Sequence, residues 1–313
     1  MTAIVRILIQ VAVSLALLAL LLTQLDTDVI IHEMMAISPT VPLAVVPALA
    51  AVLIVSQATR WRTILAALDV VAPSAPLVRV VSLTFFANQL VPSVGGDLLR
   101  VWLGRRLSVE LRTLVASVLL DRAAGFATIL AICIAVLPLF HAAEGGGVFW
   151  SVLLTIAAGV SALAALLGLH YLPRAVLRLR FAGEVAHVST AAWQVVRRGN
   201  HLAGVVALSL VSHGALMVTA ALLASASGVA LGMLDYLAVL PAVLLVSMVP
   251  ITIGGWGLRE GAMVVGLGLV GVPAETALVT SILFGGVMAG VGVLGGAGWL
   301  LSSRTGRLAA QPD

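Results

Sequence analysis

Asp97, Arg100, Asp121, Arg122, Arg259 and Glu260 stand in otherwise apolar surroundings. Arginine offers a planar fork of donors that matches phosphate oxygens, and a carboxylate beside it balances charge or carries a proton. Their placement repeats. Val91-Pro92-Ser93-Val94-Gly95-Gly96-Asp97-Leu98-Leu99-Arg100 and Val249-Pro250-Ile251-Thr252-Ile253-Gly254-Gly255-Trp256-Gly257-Leu258-Arg259-Glu260 both read Val-Pro, a short spacer, Gly-Gly, two residues, Leu-Arg. Proline interrupts a helix, and Gly95, Gly96, Gly254, Gly255 and Gly257 let the chain turn and approach a ligand. The restarting half-helix leaves N–H groups unsatisfied and carries partial positive charge, so it favours an anion. Asn88 and Gln89, just before the first proline, either satisfy freed carbonyls or line the cavity.

Spacing limits the pairing. Asp97 and Arg100, three apart, can share a helix face. Asp121 and Arg122 are adjacent, as are Arg259 and Glu260, and neighbours diverge by about 100°. These four are expected to find partners elsewhere, in one network near the midplane joining both interrupted segments and the third span. A closed salt-bridge network that only fixes the fold is the competing reading of the same charges.

The elements holding these residues must lie in lipid. Of 313 residues, 61% are hydrophobic and 10% charged, against about 45–50% and about 25% in an average soluble domain. The basic residues are all arginine, which excludes a Walker-loop lysine, a Schiff base and a lysine nucleophile. Cys133 stands alone and no histidine pair has ligand spacing, so neither an intrachain disulfide, a metal nor another cofactor is expected. The net charge of +4 reports membrane orientation through arginine placement and not nucleic-acid binding.

A helix crosses a core of about 30 Å with about 20 apolar residues. Six runs meet this: Ile7 to Leu25, Val41 to Ala58, Leu111 to Phe140, Val148 to Leu169, Leu202 to Ala226 and Glu275 to Leu300. The first lacks a small-residue cleavage site and reads as an uncleaved anchor. The repeated motifs occupy two re-entrant hairpins, 76–107 and 235–272. With that fold Arg6, Arg60, Arg62, Arg105, Arg106, Arg174, Arg178, Arg180, Arg197, Arg198, Arg304 and Arg307 all fall on the cytoplasmic side, as do both termini, and the outer loops carry no arginine.

The expected architecture is an all-α polytopic membrane protein with about six full spans plus two broken-helix hairpins, eight spans if the hairpins' first arms are counted. Residues 1–140 and 148–300 form inverted repeats within a single membrane domain, because three full crossings bring the second motif in from the opposite face. Residues 182–198 form a cytoplasmic helix, either interfacial with its arginines at headgroups or packed on its neighbours. Gly286, Gly290, Gly292 and Gly296 give the last span a surface for close helix packing. Asp26, Asp28 and Glu33 cap and solvate an outer loop, and His213 makes an interhelical hydrogen bond.

Asn88, Pro92, Gly96, an acid and Arg100, then Asp121-Arg122 with Gly125, then Pro250, Gly254, Gly257 and Glu260 together resemble the flippase-like transmembrane domain of the lysylphosphatidylglycerol synthase family, over nearly the whole chain. That family usually has glutamate where this chain has Asp97. The resemblance implies translocation of a lipid with a polar headgroup: phospholipid, aminoacylated phospholipid or polyprenyl-linked sugar. Family members that synthesise lysyl-lipid carry a further soluble aminoacyl-transferase domain; this chain ends at Asp313, so synthesis is not expected.

The functional expectation is a carrier in the cytoplasmic membrane, not an enzyme, for a lipid with an anionic headgroup. Arg100 and Arg259 hold phosphate with the glycine turns and Asn88 around it, while Asp97, Asp121, Arg122 and Glu260 form the charge network or couple protons. Two alternatives stand beside it: a membrane glycosyltransferase or lipid-modifying enzyme using the outer acids, and a non-transporting partner of a lipid-biosynthetic complex.

Overall fold

A computed structural model describes residues 3–90, 95–107, 109–143, 147–171, 182–249, 251–253 and 255–308. Pro92, Pro250 and Gly254 lie outside the described residues. The described chain is helical with short 3-10 turns, without strands. Its helices are α1 (Ala3–Gln24), α2 (Thr27–Ala36), α3 (Thr40–Ala67), α4 (Ser74–Leu90), α5 (Gly95–Gly104), α6 (Leu111–Ala143), α7 (Gly147–Gly168), α8 (Ala182–Arg197), α9 (Gly199–Ala226), α10 (Met233–Ser247), α11 (Leu258–Gly268) and α12 (Ala274–Leu308).

Within α3, α6, α9 and α12, stretches of 28 or 29 residues are long and apolar enough to cross a bilayer. Leu8–Gln24 with Thr27–Ala36 forms a bent pair, and Val152–Gly168 and Met233–Ser247 are shorter apolar helices. Leu8, Leu15, Val55, Leu154, Val211 and Val293 project outward; in lipid such side chains sit in their own solvent.

Both repeated motifs are interrupted helices. Helix α4 ends at Leu90 and α5 begins at Gly95, while α10 ends at Ser247 and α11 begins at Leu258. At 10 and 11 residues, α5 and α11 reach about 15 Å, half of a hydrocarbon core. Gly255 and Gly257 adopt φ of 81° and 88°, the left-handed region that a side chain disfavours. A Cβ on Gly257 would also stand 2.8 Å from the Leu17 Cβ of α1. At α5 the reason for glycine is proximity: a Cβ on Gly96 would collide with the Asn88 amide and the Thr84 methyl of α4.

The sequence expectation of an acidic outer loop after α1 is corrected. Residues 27–36 form a helix that leaves α1 at 97°. Asp26 caps it, its Oδ1 accepting from the N–H groups of Asp28 at 2.9 Å and Val29 at 3.3 Å. Ile30 then packs on Leu278 and Val279 of α12, and Glu33 Oε1 accepts from Thr276 Oγ1 at 2.9 Å.

Helix α8 packs on the bundle. Its buried Val188, Ala191, Ala192 and Val195 cover Ile64 and Ala67 at the end of α3, Ala116 and Leu120 near the start of α6, and Val205 near the start of α9. Ion pairs Arg112–Glu184 at 3.0 Å and Arg198–Asp69 at 2.8 Å tie it to the α6 start and to the chain just after α3. Helix α8 thus touches both the end of α3 and the start of α6.

On α12, Gly290 meets Val46 of α3, and Gly292, Gly295 and Gly296 meet Phe85 and Gln89, Ser82, and Phe86 of α4. Gly286 faces open space, so the close-packing strip runs from Gly290 instead. Gln89 Nε2 donates to the Met288 carbonyl at 3.2 Å across this seam. Gly292→Leu is expected to destabilise by about 1–3 kcal/mol through overpacking; the melting temperature of the purified protein in detergent measures it, and an unchanged value would mean that α4 yields freely.

Candidate functional site: two buried arginine–carboxylate clusters

Arginine and carboxylate side chains buried below the surface gather in two places. In the first, Asp121 of α6 is 2% exposed. It accepts from Arg60 Nε of α3 at 2.6 Å through Oδ1, and from Arg100 Nη1 of α5 at 2.7 Å through Oδ2. Each carboxylate oxygen thus serves a different helix. Arg60 also donates from Nη1 to Ser209 Oγ of α9 at 3.0 Å. The Arg100 guanidinium lies over the Trp61 ring, 4.4 Å from its centroid, a cation–π arrangement strengthened by exclusion of water. Trp61 is held by Nε1 donating to Ser117 Oγ at 3.0 Å.

Arg60 belongs to this site although its sequence position had assigned it to the cytoplasmic side. Helix α3 continues past it to Ala67, and Arg60 is only 5% exposed. A span read by hydropathy ends at its first charge. Here the charge stays inside because Asp121 compensates it.

Toward the surface, Arg122 Nε donates to Asp97 Oδ2 at 2.8 Å, with side chains 47% and 17% exposed. The expected Asp97–Arg100 face pairing does not form. The bonds run instead from α5 to α6, Asp97 to Arg122 and Arg100 to Asp121. Asn88 abuts Gly96. His213 Nδ1 and the Ser209 carbonyl of its own helix are 2.8 Å apart, an intrahelical contact where an interhelical one was expected; Ser56 and Ser212 add a second α3–α9 hydrogen bond at 2.8 Å beside that of Arg60 with Ser209.

The second cluster follows the α10–α11 break. Glu260, fully buried, accepts from Arg259 Nη2 at 2.6 Å and Nε at 3.2 Å, from the Gly257 N–H at 2.5 Å, and from Ser281 Oγ of α12 at 3.3 Å. Adjacent residues pair after all. Glu260 is the third residue of α11 and folds back over the helix start to cap Gly257, which brings its carboxylate to the side where the long Arg259 chain passes. The Arg259 guanidinium is sandwiched near Trp256 at 4.7 Å and Phe284 at 5.9 Å, against Gly285. Ile253 N–H donates to Ser14 Oγ of α1 at 3.0 Å, fixing the turn.

No hydrogen bond or ion pair among the described residues joins the clusters, so the expectation of a single network is replaced by two. The first ties α3, α5, α6 and α9 together; the second ties α11 to α12, with α1 at its turn. Their polar atoms differ in one respect. Arg100 Nε and Nη2 and Asp97 Oδ1 are buried without a hydrogen-bond partner, whereas Arg259 and Glu260 leave no such atom. An open groove of about 290 Å³ lined by Arg112, Leu119, Leu166 and Val188 lies beside α8 and shares no residue with either cluster.

Among the described residues no three histidine, cysteine or acidic side chains converge as a metal site. The Asp26 carboxylate caps α2 and Glu33 holds it to α12, with the Asp26 N–H also reaching Glu275 Oε1 at 3.4 Å. A family model described as the lysylphosphatidylglycerol synthase TM region matches residues 7–296. Comparison with curated proteins gave no match.

Proposed function

From the premise that the chain belongs to the lysylphosphatidylglycerol synthase TM-region family, and so to multi-pass membrane proteins of lipid function, we propose that it translocates a lipid with a phosphate-containing headgroup across the cytoplasmic membrane. It acts as a carrier and not as an enzyme. The carrying observation is that each of two interrupted segments sets a buried arginine against a buried carboxylate in a bundle of apolar helices, Arg100 against Asp121 and Arg259 against Glu260. Such charges are costly in lipid and mark a pathway by default.

In this reading 76–107 and 235–272 dip into the membrane and return, the halves 1–140 and 148–300 are inverted repeats, and both termini are cytoplasmic. Helix α8 supports the first re-entrance, since it packs at the end of α3 and at the start of α6. The half-helix starts at α5 and α11 favour phosphate by partial charge, and arginine adds a planar fork. Rocking of one half against the other exposes the headgroup alternately. Cysteine labelling in a Cys133→Ser background should place positions 76 and 107 on one side; labelling from opposite sides would defeat the re-entrant topology.

Transport is tested in reconstituted liposomes with a fluorescent phospholipid. Wild-type protein should equilibrate it between leaflets, and Arg100→Lys and Arg259→Lys, which keep the cation but lose the fork, should slow this at least tenfold. Full rates in folded variants would remove the site assignment, and no transport by wild type would remove the function.

A further inference from the structure

Helix α1 turns its polar residues inward. Among its described side chains the buried ones are Gln10 and Ser14, 5% and 6% exposed, four apart on one face. Leu8, Leu15 and Leu22 point away from the bundle. Lipid is as apolar as leucine, so these side chains neither hold α1 in place nor push it off. What holds it is local and polar. Its main helical partner is α11; the Ile253 N–H donates to Ser14 Oγ at 3.0 Å, and a Cβ on Gly257 would stand 3.0 Å from the Ser14 carbonyl. Interhelical hydrogen bonds in a bilayer are individually weak, whereas α11 is tied to α12 through buried Glu260 and Ser281. Helix α1 is therefore the separable wall of the second break.

The far side of the seam is polar as well. Next to Ile253, the Thr252 hydroxyl is buried, its residue 3% exposed, and without a hydrogen-bond partner among the described residues; an unsatisfied buried group marks a missing partner. Around it the surface is apolar: Leu15 of α1 is 61% exposed, and Val249 and Ile251 of the break are 41% and 48% exposed. The seam thus borders lipid, and a ligand that reaches it from there keeps an apolar part in the bilayer. Separation of α1 would free the Ile253 N–H together with the hydroxyls of Thr252 and Ser14, three donors suited to phosphate oxygens, beside a glycine that offers no side chain in the way.

Resting on the translocator reading, we infer that the seam between α1 and the turn holding Thr252, Ile253 and Gly257 is the portal by which a lipid phosphate leaves the bilayer for the interior, with α1 as its door and the Ser14–Ile253 hydrogen bond as its latch. The tails stay in the bilayer. Opening without a headgroup strands the Ile253 N–H in lipid, and an unmade bond costs more than a made one gains. A phosphate oxygen that takes over from Ser14 removes that penalty, and a second oxygen gives Thr252 the partner it lacks. The door therefore opens to phospholipid and stays shut without it.

Spin labels at Leu15→Cys and Val293→Cys, in the full chain with Cys133→Ser, report the separation of α1 from α12. Maltoside micelles free of phospholipid should give one short distance, with or without an excess of inorganic phosphate; phosphatidylglycerol vesicles should add a second, longer one. A single unchanged distance in vesicles, or a long distance produced by inorganic phosphate alone, would overturn the portal. Ser14→Ala loses the latch and should raise the share of the longer distance in vesicles at least twofold; an unchanged share would remove the latch. In liposomes, oxidation of Ser14→Cys with Ile253→Cys should slow transport of the fluorescent phospholipid at least tenfold and reduction should restore it, while a staple between Ile30→Cys and Leu278→Cys, joining α2 to α12, should leave the rate unchanged. Full transport with the seam stapled would sink the portal and spare the translocator; no transport by the reduced protein, with the vesicle-dependent distance still present, would do the reverse.

Discussion

Asp121→Ala is expected to be the most damaging single substitution in the bundle. It leaves Arg60 and Arg100, 5% and 2% exposed, facing each other without a counter-charge. Breaking one buried pair by removing a partner costs about 3–5 kcal/mol, and here one carboxylate serves two cations from different helices. Folded domains hold only about 5–15 kcal/mol in total. The variant should therefore yield little monodisperse protein, and what is recovered should melt far below wild type. Asp121→Asn keeps an acceptor of the same shape and should fall between the two. A melting temperature within a few degrees of wild type for Asp121→Ala would mean that water already reaches this cluster.

Glu260→Ala is expected to follow closely, for a partly different reason. Its carboxylate neutralises Arg259, caps the Gly257 N–H and accepts from Ser281 on α12. Loss of the buried counter-charge costs about 3–5 kcal/mol, and loss of the cap adds about 0.5–2 kcal/mol. Glu260→Gln retains an acceptor for Gly257 and Ser281 and separates the contributions, since only the charge is removed. Thermal unfolding in detergent reads both; an alanine variant within about 1 kcal/mol of wild type would show that Arg259 finds another partner.

The long apolar runs made much of the fold legible. Leu111 to Phe140 and Leu202 to Ala226 reappear as α6 and α9 with small changes at their ends, because nothing else competes with helix formation in such stretches. The second glycine group was legible as a turn, Gly255 and Gly257 having positive φ, whereas Gly95 and Gly96 open α5 and serve its close approach to α4. Helix α2 was not: ten residues with Asp28 and Glu33 look like a solvated loop, and only packing of Ile30 on α12 makes them a helix.

The site was partly legible. Residue types named Arg100, Asp121 and Glu260 as buried charges, yet partners depend on which helices meet. Spacing favoured Asp97 with Arg100 and forbade Arg259 with Glu260; the α5–α6 contact and the fold-back of a capping carboxylate decided otherwise. Arg60 was hidden by hydropathy itself, since the residues around it, Thr59 through Arg62, resemble a span end. Ser209, one turn before His213 on an apolar helix, was its sequence-level clue.

Helix α12 touches both interrupted segments: Ser281 and Gly285 stand against the Arg259–Glu260 pair, and Gly292 through Gly296 against α4. Seven residues separate Gly285 from Gly292, about 10 Å along the axis. The glycines of this strip let α4 come close, with Phe85, Phe86 and Gln89 seated against them, so both segments are held to the same helix, α4 by close packing and the Gln89–Met288 hydrogen bond and α11 by charge. Displacement of the first segment would then be metered against the second by a single rigid rod.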